Sequence, residues 1–299
     1  MKILINRKPV EGPYGGGNHF VSAFVNHMKS NGHEVVYELV PDIDVLFMHA
    51  LSPGNTGIDI RHFAHYKKQN PNSKIIQRVN ECDARKNTEH IDNMLIGAST
   101  IVDATIFVSD WMKKYFVDKN WRCQNTFVLK NGVDTSLYLN DNQPPSTEKI
   151  SVVTHHWSNN YLKGFDCYEF LDYLASKHDD IEFTYIGRHR NSFSSNTKII
   201  APCSGEELAK NLKGHDVYIS GSRFDPGPNH ILESIASGIP TYAHLEGGGA
   251  VEFTGPTHVF RNLIELEKLI LGRKFQANRV EVNDWNYCMD QCLRILKSL

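Results

Sequence analysis

The segment from Ser222 to Glu252, which reads SRFDPGPNHILESIASGIPTYAHLEGGGAVE, constrains the fold more than any other part of the chain. Asp225 lies in an opening turn that is rich in Pro and Gly. After the turn, apolar residues recur at the spacing of a helix, namely Ile231, Leu232, Ile235 and Ala236. Gly238 and Pro240 predict the end of this helix and the start of a short buried strand. The order of turn, helix and strand is typical of a parallel sheet covered by helices.

The start of the predicted helix has the chemistry of an anion site. Its first backbone N–H groups, at Asn229, His230 and Ile231, have no partner inside the helix and therefore attract negative charge. Glu233 falls one turn further on, eight positions after Asp225. Two carboxylates at this separation can flank a ligand whose phosphates lie at the helix start, the inner one reaching a ribose and the outer one a sugar hydroxyl. The plainer interpretation makes Asp225 a turn residue and Glu233 a solvated helix residue.

The same segment resembles a signature of known enzymes. Glu233 to Pro240 (ESIASGIP), followed by Gly247 to Gly249 and by Glu252, is similar to the Glu-x7-Glu segment of retaining nucleotide-sugar glycosyltransferases. These enzymes have the GT-B fold, and the likeness is strongest to their family 4. The resemblance implies that the chain binds a nucleotide diphosphate sugar. One position departs from the family pattern, because Asp225 is one methylene shorter than the usual Glu.

A second stretch of the resemblance follows a β-branched strand, Lys149 to Thr154. Lys163 and Gly164 stand at the mouth of the next helix, where an ammonium group beside unpaired N–H groups suits a diphosphate; a surface lysine is the plainer interpretation. The family has Gly-Arg-x4-Lys-Gly here, with the Arg and the Lys on the phosphates. Lys163 matches, but residues 155–158 (HHWS) occupy the neighbourhood of the Arg. A histidine of this stretch or Arg188 is the predicted substitute.

The beginning of the chain has another arrangement suited to phosphates. An opening strand is followed by the glycine-rich stretch Glu11 to Asn18 and by a predicted helix, Phe20 to Ser30. Bare backbone at Gly15, Gly16 and Gly17 allows a diphosphate to approach, although plain tight turns also need glycines. The stretch has neither the Walker lysine nor a G-x-G-x-x-G pattern. In the family, this loop lies at the cleft between the domains, near the donor phosphates and the acceptor.

A histidine ends the third predicted strand, Asp44 to His49. The carboxyl ends of parallel strands border the crevice in which α/β folds bind ligands. We therefore predict a catalytic role for His49, the alternative being a hydrogen bond to a neighbouring loop.

The next predicted strand, Lys74 to Val79, ends in a dense polar cluster that contains Asn80, Glu81, Asp83 and Arg85. We predict that these four residues bind the acceptor. One alternative is a base-like group over the donor sugar, and the other is a solvated loop with helix-capping acids.

Composition excludes several classes of function. The chain of 299 residues has 32 basic and 34 acidic side chains. Its net charge of −2 does not show the excess of positive charge that is typical of nucleic-acid binding. No segment approaches the roughly 20 apolar residues that cross a bilayer, so we expect a cytoplasmic protein with at most peripheral membrane contact. The six cysteines are scattered and predict free thiols. No spacing of His, Cys and carboxylate indicates a metal site.

These features predict an α/β protein of the GT-B fold, with two Rossmann-like domains facing across a cleft. Residues 1–140 form the predicted acceptor-side domain, and residues 149–283 form the donor-binding domain. Residues 284–299 form a helix that packs back on the first domain. The polar segment Thr135 to Glu148 is the predicted linker.

The resemblance implies a retaining hexosyltransferase that moves a sugar from a UDP- or GDP-sugar to a hydroxyl of a carbohydrate or glycoconjugate acceptor. It also implies no metal ion and no cofactor besides the nucleotide sugar. The predicted catalytic residues are Lys163, Asp225 and His49. Two alternatives stay open: a nucleotide-sugar epimerase of the GT-B fold, and a sugar-nucleotide binding protein without activity. An NAD-dependent dehydrogenase fits poorly, because the second domain has its own Lys-Gly and the paired acids.

Overall fold

The computed structural model describes residues 1–12, 14–144, 148–190 and 193–299. Two predictions fall partly outside these ranges. Pro13 belongs to the predicted glycine-rich stretch, and residues 145–147 belong to the predicted linker; all four lie outside the described residues.

The chain divides into two compact units. Unit 1 contains Met1–Gly132 and Trp285–Leu299, and unit 2 contains Val133–Asp284. Each unit is an α/β structure in which strands and helices alternate along the chain. In the part of the chain that the structure describes, no helix has the length and apolar character that a membrane span requires.

Unit 1 is built on a parallel sheet. Its elements, in chain order, are β1 (Lys2–Ile5), α1 (Gly15–Ser30), β2 (Glu34–Val36), β3 (Val45–Met48), α2 (Ile60–Gln69), β4 (Lys74–Val79), α3 (Asp83–Lys86), α4 (Ile91–Ala98), β5 (Ala104–Phe107), α5 (Asp110–Val117) and β6 (Thr126–Val128). Within the described residues, the six strands pair in the order β2-β1-β3-β4-β5-β6, all in parallel. Strands such as β3 (VLFM) are fully buried, because helices cover both faces of the sheet.

Unit 2 is built in the same way. It contains β7 (Ile150–His156), a 3-10 turn (Tyr161–Lys163), α6 (Phe165–Lys177), β8 (Ile181–Gly187), β9 (Thr197–Ile200), α7 (Gly205–Leu212), β10 (Val217–Ser220), α8 (Asn229–Ala236), β11 (Thr241–His244), α9 (Gly249–Thr254), β12 (Val259–Phe260) and α10 (Leu263–Gly272). Its described strands form a second parallel sheet of six, in the order β12-β11-β10-β7-β8-β9. Two apolar clusters cover its faces, one under α6 and α10 and the other under α7, α8 and α9.

The last helix, α11 (Trp285–Lys297), belongs to unit 1. On α1, Phe20, Phe24 and Met28 recur at four-residue spacing and are almost fully buried. They share one core cluster with the buried side chains of α11, which are Cys288, Met289, Cys292, Leu293 and Leu296. Side chains that follow unit 2 in the chain therefore complete the core of unit 1.

The order of the strands predicts where each unit binds ligands. Consecutive connections diverge to opposite sides of β1 in unit 1 and of β7 in unit 2. In open parallel sheets, ligands bind at the carboxyl ends of the strands beside such a switch point. The candidate positions are therefore the loops after β1 and β3 in unit 1, and the loops after β7 and β10 in unit 2.

Two local expectations differ from the structure. Gly15, Gly16 and Gly17 form the first turn of α1 rather than a loop before it. Residues 83–86, for which a solvated loop is the alternative to acceptor binding, form the short helix α3. In both places the polar and glycine-rich composition favours a loop, and the structure has a helix instead.

The loops after β7 and β10 meet backbone to backbone. Gly164, which lies between the 3-10 turn and α6, has a φ of 98°, in the left-handed region. A Cβ atom at this position would lie 2.2 Å from the carbonyl carbon of Gly221, the residue after β10. Only glycine at position 164 permits this approach.

We predict that Gly164→Ala lowers the free energy of unfolding by about 2–4 kcal/mol, from left-handed strain and overpacking. Gly97→Ala is the matched control, because Gly97 lies in α4 and a Cβ atom there meets no heavy atom within 4 Å. It should raise stability by up to about 1 kcal/mol. Urea unfolding followed by circular dichroism measures both changes, and a Gly164→Ala protein as stable as the wild type would contradict the close approach.

Candidate functional site

The structure brings together two of the three predicted catalytic residues. Lys163 ends the 3-10 turn after β7, and Asp225 lies in the turn after β10. Lys163 Nζ is 2.7 Å from Asp225 Oδ2, and the two side chains are only 16% and 8% exposed. The Asp225 backbone is itself fixed, since its N–H donates to Gly247 and its carbonyl accepts from Gly249. With so little solvent around it, this ion pair is weakly screened.

Glu233 has a histidine partner. His155, at the end of β7, has its Nε2 atom 2.8 Å from Glu233 Oε2, and both side chains are less than a tenth exposed. Glu233 lies one turn inside α8, as the sequence predicts. It is therefore a buried, oriented carboxylate and not the solvated helix residue of the plainer interpretation.

The first turn of α8 carries three predicted phosphate-binding residues. Asn229, His230 and Ile231 are buried there, after Pro228. The turn itself contains no acidic residue, and the positive end of the helix dipole lies there. The Ile231 N–H donates to the Pro228 carbonyl at 3.3 Å, and His230 Nε2 is 2.9 Å from Ser220 Oγ.

A second histidine of β7 packs beside the α8 start. The His156 ring lies 4.6 Å from the His230 ring, and its Nε2 atom makes a short hydrogen bond with the Tyr168 hydroxyl. The same hydroxyl accepts the N–H of Gly221 at 3.0 Å. Burial raises the pKa of Tyr168 well above its ordinary value, so this phenol stays protonated and links α6 to the ends of β7 and β10.

Arg188 lies over the loop that follows β7. Its guanidinium carbon is 3.9 Å from the centre of the Trp157 ring, and the backbone N–H of Arg188 donates to the His156 carbonyl. The contact follows from the register, because His156 pairs with Gly187 and the next residues of the two strands are Trp157 and Arg188. Arg188 thus places a cation beside the stretch in which the family arginine has no match.

In unit 1, His49 and Asn80 lie against the first turn of α1. A Cβ atom added to Gly17 would lie 3.5 Å from His49 Nε2 and 3.9 Å from Asn80 Nδ2. The His49 ring also stacks on Phe20, with 5.7 Å between the centroids. Burial, followed by the charges of Arg78 and Arg7, holds the pKa of His49 well below its ordinary value, so this imidazole is neutral.

The remaining predicted acceptor residues have partners within the protein. The Asp83 carboxylate accepts from the Thr88 hydroxyl and from the backbone N–H groups of residues 90–92, which it caps at the start of α4. Burial raises the pKa of Asp83, but these hydrogen bonds outweigh it and hold the pKa below its ordinary value. Glu81 lies 3.6 Å from Lys86, and Arg85 is buried. Acceptor binding stays a prediction for the cluster.

Metal binding has no candidate in the described residues, where no group of three or more His, Cys, Asp or Glu side chains is arranged to hold an ion.

No protein-family model and no curated protein sequence matches this chain. Solved structures do match over its whole length. The crystal structure of Anabaena HepE in complex with UDP-glucose has a TM-score of 0.75 at 14% identity and covers 100% of both chains. Sucrose-phosphate synthase from Thermosynechococcus elongatus has a TM-score of 0.75 at 13% identity, over 99% of this chain and 98% of that one. The chain has the GT-B fold.

A third GT-B structure agrees with these two. The E. coli structure described as trehalose-6-phosphate bound with UDP-2-fluoro glucose has a TM-score of 0.65 at 12% identity, over 100% of this chain and 99% of that one. At these identities the likeness establishes the fold of this GT-B chain and leaves its chemistry to the residues of the site.

Sequence reasoning missed two features of this GT-B site. It named His155 only as a substitute for an arginine, and its pairing with Glu233 joins positions 78 residues apart. It gave no role to Arg78, which lies in the buried part of β4 beside Gln77. The available signal was that an arginine inside a buried parallel strand is rare unless it is paired.

We predict that the buried pair Lys163–Asp225 is strongly coupled. A double-mutant cycle with Lys163→Met and Asp225→Asn, read by urea unfolding, should give a coupling energy of about 2 kcal/mol or more, because either single change leaves a buried charge without its partner.

Lys213 and Asp141 provide the matched control. Lys213 Nζ and Asp141 Oδ2 are 2.8 Å apart and also lie in unit 2, but their side chains are 38% and 46% exposed. The same cycle there should give less than about 1 kcal/mol. Equal coupling at the two pairs would show that burial does not distinguish the candidate site.

Proposed function

We propose that this chain is a glycosyltransferase that moves a hexosyl group from a nucleotide diphosphate sugar to a hydroxyl of a carbohydrate or glycoconjugate acceptor. Anomeric configuration is retained, and neither a metal ion nor a cofactor takes part. The GT-B fold supports the proposal, as do the similar structures of Anabaena HepE in complex with UDP and with UDP-glucose. The observation that carries it is the buried ion pair of Lys163 and Asp225 at the switch point of unit 2.

The pair supplies the two groups that the donor requires. The diphosphate gains negative charge as the bond to the sugar breaks, and a fixed ammonium group stabilises that charge more in the transition state than in the ground state. Lys163 is this group. Asp225 holds it in place before the donor binds and accepts a hydrogen bond from a hydroxyl of the donor sugar afterwards.

The nucleotide binds along α8. Its diphosphate lies at the start of the helix, near Asn229 and His230, where N–H groups and the helix dipole favour negative charge. Glu233 accepts hydrogen bonds from the ribose hydroxyls. His155 contacts Oε2 of Glu233 and thereby orients this carboxylate. Arg188, supported by Trp157, adds a second cation for the diphosphate.

Retention follows from attack on the face from which the diphosphate departs. The acceptor oxygen forms a bond to the anomeric carbon, the bond from that carbon to the phosphate oxygen breaks, and the acceptor proton passes to the departing phosphate. The products are a glycoside and a nucleoside diphosphate. Neither Asp225 nor Glu233 serves as a nucleophile in this scheme, since one is paired with Lys163 and the other with His155.

We predict that Lys163→Ala lowers kcat by at least about tenfold, or about 1.4 kcal/mol of transition-state stabilisation. The assay measures release of UDP or GDP from their glucose and mannose conjugates, with and without added glycans. Lys213→Ala is the control, because it removes an exposed lysine of the same unit. An unchanged rate in Lys163→Ala would reject its role, and a donor converted to another sugar nucleotide would indicate an epimerase.

Glu233→Ala should mainly weaken nucleotide binding, by about 1–3 kcal/mol, because it removes the acceptor for the ribose hydroxyls. Calorimetry with UDP and GDP measures the loss. Glu182→Ala serves as the control, since Glu182 is an exposed carboxylate on β8 that forms an ion pair with Lys149. If 2′,3′-dideoxy-UDP loses as much affinity with Glu233→Ala as UDP does, the ribose is not what Glu233 contacts.

A further inference from the structure

Unit 1 contains a buried arginine whose charge has no carboxylate beside it. Arg78, on β4, is 2% exposed and has no acidic side chain within ion-pair distance in the described part of the chain. Its Nη2 donates to Asn131 Oδ1 at 2.7 Å. Its Nε and Nη1 atoms are buried, and among the described residues they have no hydrogen-bond partner. Burial lowers the pKa of Arg78 to about 9, which still leaves the guanidinium charged at neutral pH.

Such an arrangement is costly without a ligand. A buried charge loses its hydration, and unpaired N–H donors add the cost of the hydrogen bonds that they do not make. The contact of the guanidinium with the Phe20 ring, 3.9 Å from the centroid, offsets only part of this cost. Native structures usually explain a buried unsatisfied donor by a bound ion, a water or a functional role.

The neighbours of Arg78 indicate the sign of the missing charge. Phe20, under the guanidinium, and Gly17 are three residues apart on α1 and therefore share one face of that helix. His49 lies against both and is neutral, with a buried Nδ1 that lacks a hydrogen-bond partner within the described residues. No side chain caps the described start of α1, and its first turn has no acidic residue. The Arg78 cation, the dipole of α1 and the bare backbone at Gly17 all favour binding of an anion.

We propose that this cluster, formed by Arg78, His49, Asn80 and the first turn of α1, binds an oxyanion of the acceptor, a carboxylate or a phosphate. The inference rests on the proposed function, because it assigns the acceptor of that reaction to an anionic class of sugar or glycoconjugate. The donor diphosphate has its own cations in unit 2, Lys163 and Arg188. The cluster thus selects acceptors by charge.

Inorganic phosphate is the probe, added to the full chain at saturating UDP so that the donor site is filled. Thermal unfolding should show a saturable rise in Tm with phosphate, and none with chloride at equal ionic strength. Because phosphate also stabilises proteins by exclusion from their surface, the readout is the difference between the wild type and the variants. Arg78→Gln should weaken the apparent affinity about tenfold or more, about 1.4 kcal/mol, and Arg78→Lys should restore part of it.

Gly17→Ala keeps the test decisive if Arg78→Gln does not fold. Its φ is not in the left-handed region, and its methyl group would make ordinary contacts with His49 and Asn80, so the helix is retained while the approach to the glycine backbone is blocked. It should weaken phosphate binding like Arg78→Gln. Equal responses in the wild type and both variants would overturn the proposal, as would a response that disappears when UDP is added. Failure of the wild type to bind UDP or GDP would count against the proposed function instead.

The same variants distinguish an anion of the acceptor from the diphosphate of the donor. If the anion belongs to the acceptor, Arg78→Gln leaves the Kd for UDP unchanged and raises KM for glucose 6-phosphate or glucuronate relative to glucose. If UDP binding itself falls about tenfold in Arg78→Gln, the anion is the donor diphosphate and the acceptor assignment is wrong.

Discussion

The contact between the backbones of Gly164 and Gly221 is the constraint on which the candidate site of unit 2 depends. It brings the loops after β7 and β10 so close that no side chain fits between them. Lys163, the residue before Gly164, is thereby held beside Asp225, which follows Gly221 by four positions. The Tyr168 hydroxyl reinforces the contact by accepting the Gly221 N–H and by pairing with His156. The electrostatics of the site thus rest on an approach between two residues without side chains.

Local sequence patterns predict much of the fold. The run from Asn229 to Ala236 is helical because its apolar spacing and its turn and glycine boundaries agree with one another, and the structure confirms that helix and the two parallel sheets. The start of α1 could not be read in this way. Glycines 15–17 have low helix propensity, and they become helical because the buried face of α1, from Phe20 onward, extends the helix toward the sheet edge.

Side-chain partners were harder to predict than elements. That Lys163 and Asp225 lie near each other follows from the carboxyl ends of neighbouring strands, yet their direct pairing depends on side-chain conformations that a sequence pattern does not contain. The partner of Glu233 could not be derived, because it requires the position of β7 relative to α8. Asp83 has the capping role that composition offered as an alternative, since its oxygens meet three successive N–H groups at the start of α4.

The place of α11 in the core of unit 1 affects how the chain acquires its structure during synthesis. Residues 285–297 leave the ribosome after all of unit 2, and until then the core cluster that contains Phe20 and Phe24 lacks its members from α11, among them Cys292 and Leu293. Unit 2 is one uninterrupted segment and needs no later residue to complete its own core. While unit 2 folds, the apolar face of unit 1 that α11 covers is therefore still exposed. Unit 1 is translated before unit 2 but completes its core after it.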